Sequence, residues 1–295
     1  MFFPPHKQRI FNRLLFALTI LFSLCTQVLA LEAQTTTLKV NDRDVSVWKW
    51  QAKGEQKGVI LFSHGALSAP WKYDPLIEPW IEQGFTVYSA LHMDSTDHPL
   101  RDKFERSMSW RARLEDMQLL ADTYGGDRYI AAGHSYGALT ALVKGGVNAT
   151  IPDGMNASQA DPRVALVLAY SPPPAMPGLI DKQGFSGLAV PALIQTGTND
   201  IPMGASLDWS AHLDAYEMAA STNDHYALVL DDVDHYFGGA ICRPELPGPK
   251  QLAELTQVSK ISELMINGYF FAQSDGIEQL TSLLSTEGPT ALSRK

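Results

Sequence analysis

The chain has 295 residues, a formal net charge of −9 at pH 7 and 45% hydrophobic residues. This length provides enough apolar material for one large domain with a sizeable core, or for two small ones. An acidic chain without a cluster of Lys and Arg argues against a nucleic-acid partner, because phosphate contacts require concentrated positive charge.

The first thirty residues differ in composition from the rest of the chain. Basic residues between positions 6 and 13 precede an apolar run over 14–24, and the segment ends at Ala30. This order predicts a signal peptide over 1–30 that is cleaved after Ala30, leaving a secreted or periplasmic domain over 31–295 without stable membrane insertion. The alternative is a retained N-terminal membrane anchor, although the run is shorter than the roughly 18 apolar residues that span a bilayer. After cleavage Cys242 is the single cysteine, so no internal disulfide is expected.

The first elements after this segment form a hairpin and then alternate between strand and helix. Apolar and polar residues alternate over 37–40 and 44–50, which predicts an antiparallel hairpin. The continuous apolar run over 59–62 predicts a buried strand, followed by a helix over about 75–83 and a second buried strand over 85–90.

The remaining elements continue this alternation. The predicted elements are a helix over 110–123, a strand over 128–132, a helix after Ser135, strands over 164–170, 190–196 and 227–230, and helices over 251–266 and 277–284. Strands that are apolar on both faces indicate a mostly parallel central sheet with helices on both faces, the α/β class. The stretch 171–188 is rich in Pro and Gly and too short for a large helical lid, so the lid is expected to be short or absent.

The stretch Gly133-His134-Ser135-Tyr136-Gly137 reads G-x-S-x-G at the junction of a strand and a helix. A serine at so sharp a turn has a strained backbone and an exposed hydroxyl, and the glycines allow the strand and the helix to pass closely. Ser135 is therefore the candidate nucleophile.

A serine hydroxyl needs a base, and the base needs a group that orients it. Asp200 directly follows an apolar strand, and carboxylates at the C-terminal ends of parallel strands lie at the edge where ligands bind. Asp200 is the candidate acid, with Asp208 as the alternative. His235 follows the last strong strand and is the candidate base, which completes the order Ser, Asp, His.

Backbone N–H groups near the nucleophile are expected to bind the oxyanion. The loop His64-Gly65-Ala66-Leu67 ends the first buried strand, so Ala66 N–H is the candidate donor together with Tyr136 N–H, and Leu67 is the alternative to Ala66. His64 is expected to brace this loop and not to act as a base. Leu67, Trp71 and Tyr236 lie near loop ends and are candidate substrate contacts.

A further group of potential ligands lies between the second and third buried strands. His92, Asp94, Asp97 and His98 are close in sequence, but no helical or finger-like spacing fixes their geometry. No metal site is predicted there.

The segments around Ala66, Ser135, Asp200 and His235 together resemble the α/β-hydrolase superfamily. Within it the chain is most similar to small, lid-poor esterases of the dienelactone-hydrolase-like, platelet-activating-factor-acetylhydrolase-like and cutinase-like groups. Dienelactone hydrolases proper use a cysteine nucleophile, whereas this chain has Ser135.

The resemblance implies an α/β-hydrolase fold and an acyl-enzyme on Ser135, without a metal or an organic cofactor. It implies a small-molecule or lipid-like ester as the substrate. An acyltransferase, a thioesterase or a peptidase would use the same triad, and a non-catalytic binding protein with this fold is a further alternative. The sequence does not fix the oligomeric state.

Overall fold

The core of the fold is one mixed β-sheet. The computed structural model describes residues 31–201, 207–221 and 224–295, and within them the sheet has nine strands. These are β1 Gln34–Val40, β2 Arg43–Trp50, β3 Gly58–Ser63, β4 Phe85–Ala90, β5 Tyr129–His134, β6 Val164–Tyr170, β7 Ala192–Asn199, β8 His225–Asp234 and β9 Thr290–Arg294.

The strand order is β1-β2-β4-β3-β5-β6-β7-β8-β9. The six strands from β4 to β8 in this order pair in parallel, and the antiparallel pairings are confined to β1 and β2 at one edge and β9 at the other. This arrangement confirms the predicted mostly parallel sheet. After β3 the chain first adds β4 on one side and then β5 to β8 on the other. The order therefore reverses between β3 and β5, and open α/β sheets bind ligands beyond the C-terminal strand ends at such a point.

Six helices cover the two faces of the sheet within the described residues. They are α1 Asp74–Glu82, α2 Ser109–Tyr124, α3 Tyr136–Lys144, α4 Asp214–Met218, α5 Leu252–Met265 and α6 Ser274–Ser282, and a five-residue π-helical turn, Ile266–Phe270, continues α5. The buried side chains of α1, α5 and α6 belong to one apolar layer, and those of α2, α3 and α4 belong to the other.

The central strands supply both layers in alternation. Ile60 and Phe62 of β3 point into the layer of α1 and α5, whereas Leu61 points into the layer of α2 and α3. Leu168 of β6 and its neighbour Val167 divide in the same way. Successive side chains of a strand point to opposite faces, so a strand covered on both faces must be apolar throughout. Each such side chain contributes about 1.5–3 kcal/mol by burial, which makes the sheet a rigid base for the loops at its edge.

The structure departs from the predicted elements at the far edge of the sheet. Strand β8 extends to Asp234, four residues beyond the predicted apolar run, because its polar end pairs with Asn199 of β7. Strand β9 and helix α4 were not predicted. β9 is a five-residue edge strand, TALSR, whose apolar and polar residues do not alternate, and α4 also has only five residues, so neither carries a strong periodic signal.

The segment after β6 is an irregular loop and not a helical lid. Its regular structure is limited to a bridge between Met176 and Ile180 and a 3-10 helix over Lys182–Gly187. Among the described residues no helix is long and apolar enough to cross a bilayer. The predicted signal peptide over 1–30 lies outside the described residues.

Candidate active site

Ser135 lies on the turn between β5 and α3. Its backbone has φ 55° and ψ −124°, a conformation that side chains rarely adopt and that is typical of functional turns. The turn is held by the Ser135 N–H, which donates to Tyr170 O at 2.8 Å. A Cβ at Gly137 would lie 1.9 Å from Ser63 O, and one at Gly133 would lie 2.2 Å from Gly137 O. Only glycine at both positions allows α3 to begin this close to the ends of β3 and β5.

Asp200 and His235 are in direct contact. Asp200 follows β7, its side chain is 1% exposed, and its Oδ1 accepts a hydrogen bond from His235 Nδ1 at 2.7 Å. The second carboxylate oxygen accepts from Thr196 Oγ1 at 2.9 Å. Burial alone would raise the pKa of Asp200, but contacts with His212 and His235 outweigh it and lower this pKa far below its usual value. Asp200 is therefore ionised at neutral pH and fixes the tautomer of His235 that carries the proton on Nδ1.

Ser135 and His235 line the same cavity, which has a volume of about 510 Å³. Its remaining wall is largely apolar and comes from the loop after β6 and the segments beside Asp200: Pro173, Pro174, Ala175, Met176, Pro177, Leu179, Ile201 and Leu207. Within the described residues, Ser135 Oγ has no hydrogen-bond partner. The contact between a nucleophile and its base is often long before substrate binds, so this geometry suits a nucleophile whose base lies across the cavity.

Ala66 and Tyr136 also line this cavity and offer free backbone donors. Within the described residues, neither the Ala66 N–H nor the Tyr136 N–H donates to another group. The Leu67 N–H, by contrast, donates to Asp94 Oδ2 at 3.3 Å. The geometry therefore favours Ala66 over the alternative Leu67 as a partner for Tyr136, and the N-terminus of α3 adds its partial positive charge at the same point.

Arg113 of α2 holds the loop that carries Ala66. Its buried guanidinium donates to His64 O at 2.7 Å and to Gly65 O at 3.1 Å. The same group forms a two-point pair with Asp94, with two N···O distances of 2.9 Å. Burial opposes the charge on Asp94, but Arg113 outweighs it and lowers the pKa of that carboxyl well below its usual range. Asp94 also accepts from the Leu67 N–H. Arg113 and Asp94 together therefore bind the loop at His64, Gly65 and Leu67.

His64 braces the same loop, as its position in the sequence predicted. Its Nε2 accepts from the His92 N–H at 3.0 Å, which leaves Nδ1 to donate to Gly65 O at 2.8 Å. Burial lowers the pKa of His64 far below its usual value, so the ring is neutral and its tautomer is fixed.

A second set of serine, histidine and aspartate lies beneath this loop. His92 Nε2 is 2.9 Å from Ser63 Oγ, and His92 Nδ1 is 2.8 Å from Asp116 Oδ2. All three side chains are 0% exposed, and Arg43 pairs with Asp116 at 2.6 Å. No substrate can reach Ser63 there, so this set is a structural support.

His134 connects the turn at Ser135 with both loops of the site. Its Nε2–H donates to His235 O at 2.9 Å, and its Nδ1 accepts from Tyr73 OH at 3.0 Å. The same hydroxyl accepts from the Gly65 N–H at 2.8 Å. Burial lowers the pKa of His134 to about 3, so the ring is neutral at physiological pH. A continuous buried chain of hydrogen bonds thus runs from the Ala66 loop to the His235 loop.

The predicted substrate contacts lie in different places. Leu67 is exposed and lines a second cavity of about 410 Å³, which also includes Ala66 and Tyr136. Trp71 packs on Trp48 and lines neither of these two cavities, and Tyr236 stands edge-on to His235. Trp71 is therefore not brought to the site. The alternative acid, Asp208, is an exposed cap of the 3-10 helix Trp209–Leu213 and is not part of it either.

Potential metal ligands lie near one another, in sequence or in space, in two places among the described residues. The side chains of His92, Asp94 and Asp97 bind separate partners, namely Asp116, Arg113 and Lys72. Among the described residues, one group of ligand-type side chains lies close together: Asp200, His212 and His235. Their facing atoms are 2.7 and 3.0 Å apart, shorter than the roughly 3.3 Å between two ligands of a tetrahedral zinc ion. These distances match proton-mediated contacts, and the absence of a metal requirement stays a prediction.

Sequence reasoning missed four residues of the site: Tyr73, Arg113, His134 and His212. Arg113 lies on a helix where it reads as one of several solvent-facing charges, yet it is 0% exposed. Tyr73 and His134 contact each other across 61 positions of the chain. His212 contacts Asp200 without belonging to any motif in the sequence. His134 alone had a local signal, since it precedes the nucleophile in the G-x-S-x-G stretch.

The chain is similar in structure to several solved hydrolases. It matches esterase 2 of Thermogutta terrifontis in its apo form with a TM-score of 0.55 and 13% identity, covering 79% of this chain and 93% of that one. The same esterase phosphonylated by cyclosarin gives a TM-score of 0.58 at 13% identity, with 80% and 94% coverage. An α/β serine hydrolase homologue of Coxiella burnetii gives 0.52 at 15% identity, with 77% and 95% coverage.

These matches establish that the chain has the α/β-hydrolase fold, as its sequence predicted. No protein-family model matches the chain, and no curated protein matches it by sequence. The similarity is therefore one of architecture at low identity, and the chemistry must be argued from the site itself.

Proposed function

We propose that this protein is an exported serine hydrolase that cleaves carboxylic esters through an acyl-enzyme on Ser135. The single observation that carries the proposal is the position of a strained serine in one cavity with a carboxylate-bound histidine and two backbone N–H groups, where the serine hydroxyl and both N–H groups have no partner among the described residues. The substrates would be small-molecule or lipid-like esters, because most of the cavity wall is apolar and about 510 Å³ accommodates a group of modest size.

The mechanism follows from the roles of Ser135, His235, Asp200 and the two backbone N–H groups. His235 Nε2 takes the proton from Ser135 Oγ as the oxygen attacks the ester carbonyl, and the oxyanion binds the N–H groups of Ala66 and Tyr136. The imidazolium formed on His235 is stabilised by Asp200 and returns its proton to the leaving alkoxide oxygen, which departs as the alcohol. Water then attacks the acyl-enzyme with His235 as the base, and the acid is released with Ser135 restored.

Reaction with a fluorophosphonate probe tests the nucleophile directly. Wild-type protein should be labelled on the peptide that contains Ser135, and Ser135→Ala should lose both the label and hydrolysis of para-nitrophenyl butyrate. Ser63 is the internal comparison, since it also has a histidine and an aspartate but is buried. Label on Ser63, or no label on folded wild-type protein, would contradict the proposal.

Substrate choice separates the ester hydrolase from its alternatives. An acyltransferase would transfer the acyl group to an added alcohol in preference to water, a thioesterase would prefer the matched thioester, and a peptidase would cleave the matched amide. Product analysis with one acyl group in all three linkages distinguishes them. A non-catalytic binding protein would turn over none of these substrates.

Export is a separate part of the proposal and rests on the composition of residues 1–30. Expression of the full chain in a bacterial host, followed by N-terminal analysis of the periplasmic fraction, should give a mature protein that begins at Leu31. Full-length protein retained in the membrane fraction would favour the alternative, an N-terminal anchor.

A further inference from the structure

His212 is a second histidine on the triad carboxylate. It lies on the 3-10 helix Trp209–Leu213 and is 3% exposed. Its Nδ1 is 2.6 Å from Pro172 O, in the loop after β6. A carbonyl oxygen only accepts, so Nδ1 carries a proton and donates it there.

The other ring nitrogen faces an anion. His212 Nε2 lies 3.0 Å from Asp200 Oδ1, the same oxygen that accepts from His235 at 2.7 Å. Within the described residues, Nε2 has no hydrogen bond of good geometry, so its contact with Asp200 is mainly electrostatic. A neutral ring with its proton on Nδ1 would place the negative end of its dipole, at Nε2, 3.0 Å from an ionised carboxylate. A proton on Nε2 turns this repulsion into an ion pair.

The groups around His212 favour that proton. Asp200 faces it from the end of β7, and His235 faces it from the segment after β8, with ring centroids 5.7 Å apart. His134 of β5 lies behind His235 and is neutral. Asp214, two residues along the chain, is occupied by Lys182 at 2.8 Å. Burial alone would lower the pKa of His212, but the contact with Asp200 and the bond to Pro172 outweigh it and the pKa is raised.

We propose that His212 is a positioning residue of the triad: a fixed imidazolium that shares Asp200 with His235. It contacts the carboxylate oxygen that does not bind Thr196, and its charge lies beside the ring on which the imidazolium forms during catalysis. This charge should therefore shape the pH dependence of catalysis. The effect on activity rests on the proposed function, whereas the protonation state of His212 does not.

The first test is nitrogen-15 spectroscopy of the histidine rings in the purified protein. The signal of His212 is identified by its loss in His212→Gln. At pH 7.5 both ring nitrogens of His212 should carry protons, and they should do so equally in Ser135→Ala. An unprotonated ring nitrogen at pH 7.5 would overturn the proposal, whatever the protein hydrolyses.

The second test is the pH profile of kcat/KM for an ester. His212→Gln keeps an N–H that can reach Asp200 but removes the charge, so the acid limb should move to higher pH. At a separation of 5.7 Å and an effective dielectric constant of about 20, the expected shift is about 2 pH units. The plateau should change less than tenfold. The matched control is His225→Gln, because His225 is also buried and bonded to a carbonyl, that of Val190, at 3.1 Å.

The outcomes separate the two proposals. If the acid limb of His212→Gln lies within about 0.3 pH units of the wild-type limb, far less than the expected shift, the electrostatic role is refuted. An equal shift in His225→Gln would refute it as well, because it would show a general effect of losing a buried histidine. A protein that has an imidazolium at His212 but takes no fluorophosphonate on Ser135 would refute the proposed function and leave the ionic contact standing.

Discussion

Tyr73 gives the most direct test of how the site is held together. Its hydroxyl accepts from the Gly65 N–H at 2.8 Å and lies 3.0 Å from His134 Nδ1, and both partners are buried. Tyr73→Phe removes this oxygen and leaves a buried donor and a buried acceptor without partners. Each costs about 1–3 kcal/mol, so the free energy of unfolding should fall by about 2–6 kcal/mol. For a domain of this size that lowers Tm by roughly 5–15 °C.

The same substitution should reduce catalysis, because the Gly65 peptide fixes the neighbouring Ala66 N–H. Complete loss of one oxyanion donor lowers kcat by about 10²–10³. A donor that is displaced and not removed should lower kcat by about 10–100-fold, with a smaller change in KM.

Urea unfolding and initial rates with para-nitrophenyl butyrate measure both effects. Tyr88→Phe is the matched control, since Tyr88 is half-buried and stacked on Tyr124, and within the described residues its hydroxyl makes no hydrogen bond. The free energy of unfolding of the control should stay within about 0.5 kcal/mol of wild type, and its kcat within about twofold. If Tyr73→Phe behaves like this control in both assays, the hydrogen-bond chain from Gly65 to His235 has no energetic role and the reasoning is refuted.

Three further predictions concern the acid, the loop and the pH dependence. Asp200→Asn should lower kcat by about 10⁴ through the wrong histidine tautomer, whereas Asp208→Asn should stay within about twofold; equal rates in the two variants would exclude Asp200 as the acid. Arg113→Met should lower the free energy of unfolding by about 3–5 kcal/mol, because the largely buried Asp94 loses its ion pair and the carbonyls of His64 and Gly65 lose a buried donor; a loss below about 1 kcal/mol would contradict the role of Arg113 in holding the Ala66 loop. The free energy of unfolding should fall as the pH drops from about 6.5 towards 3, because the unfolded state binds a proton that the folded His134, with its pKa of about 3, does not. This pH dependence should be shallower in His134→Gln, and an equal slope would show that His134 is not one of the groups responsible.

Most of the fold could be read from the sequence because the central strands must be apolar on both faces. That requirement produces the continuous runs at β3, β4, β6 and β7, and strand ends then locate the loops. The proximity of Asp200 and His235 could be predicted by the same reasoning, since parallel strands gather their C-terminal ends at one edge. Strand β9 was missed because an edge strand covered on one face needs no such run.

The supporting residues could not be predicted, because their chemistry depends on partners far away in the chain. Arg113 and Asp116 look like solvent-facing charges on α2, and only the folded loop at His64 and the hairpin residue Arg43 explain why they are buried. His212 likewise has no motif of its own. A buried charge is tolerated only with a partner of opposite sign, and single-sequence patterns carry no information on such pairs.

The two sets of serine, histidine and aspartate have a consequence for searches that identify catalytic sites from side-chain geometry. A search for these residue types at hydrogen-bonding distances would retrieve Ser63, His92 and Asp116 first, because both of their contacts are closed. The set at Ser135 has only its carboxylate–imidazole contact made. What distinguishes the set at Ser135, among the described residues, is an open path for a reactant and a pair of unused amide donors. In this fold, therefore, the tighter constellation is the buried one, and templates that reward short distances without asking what can enter will rank it first.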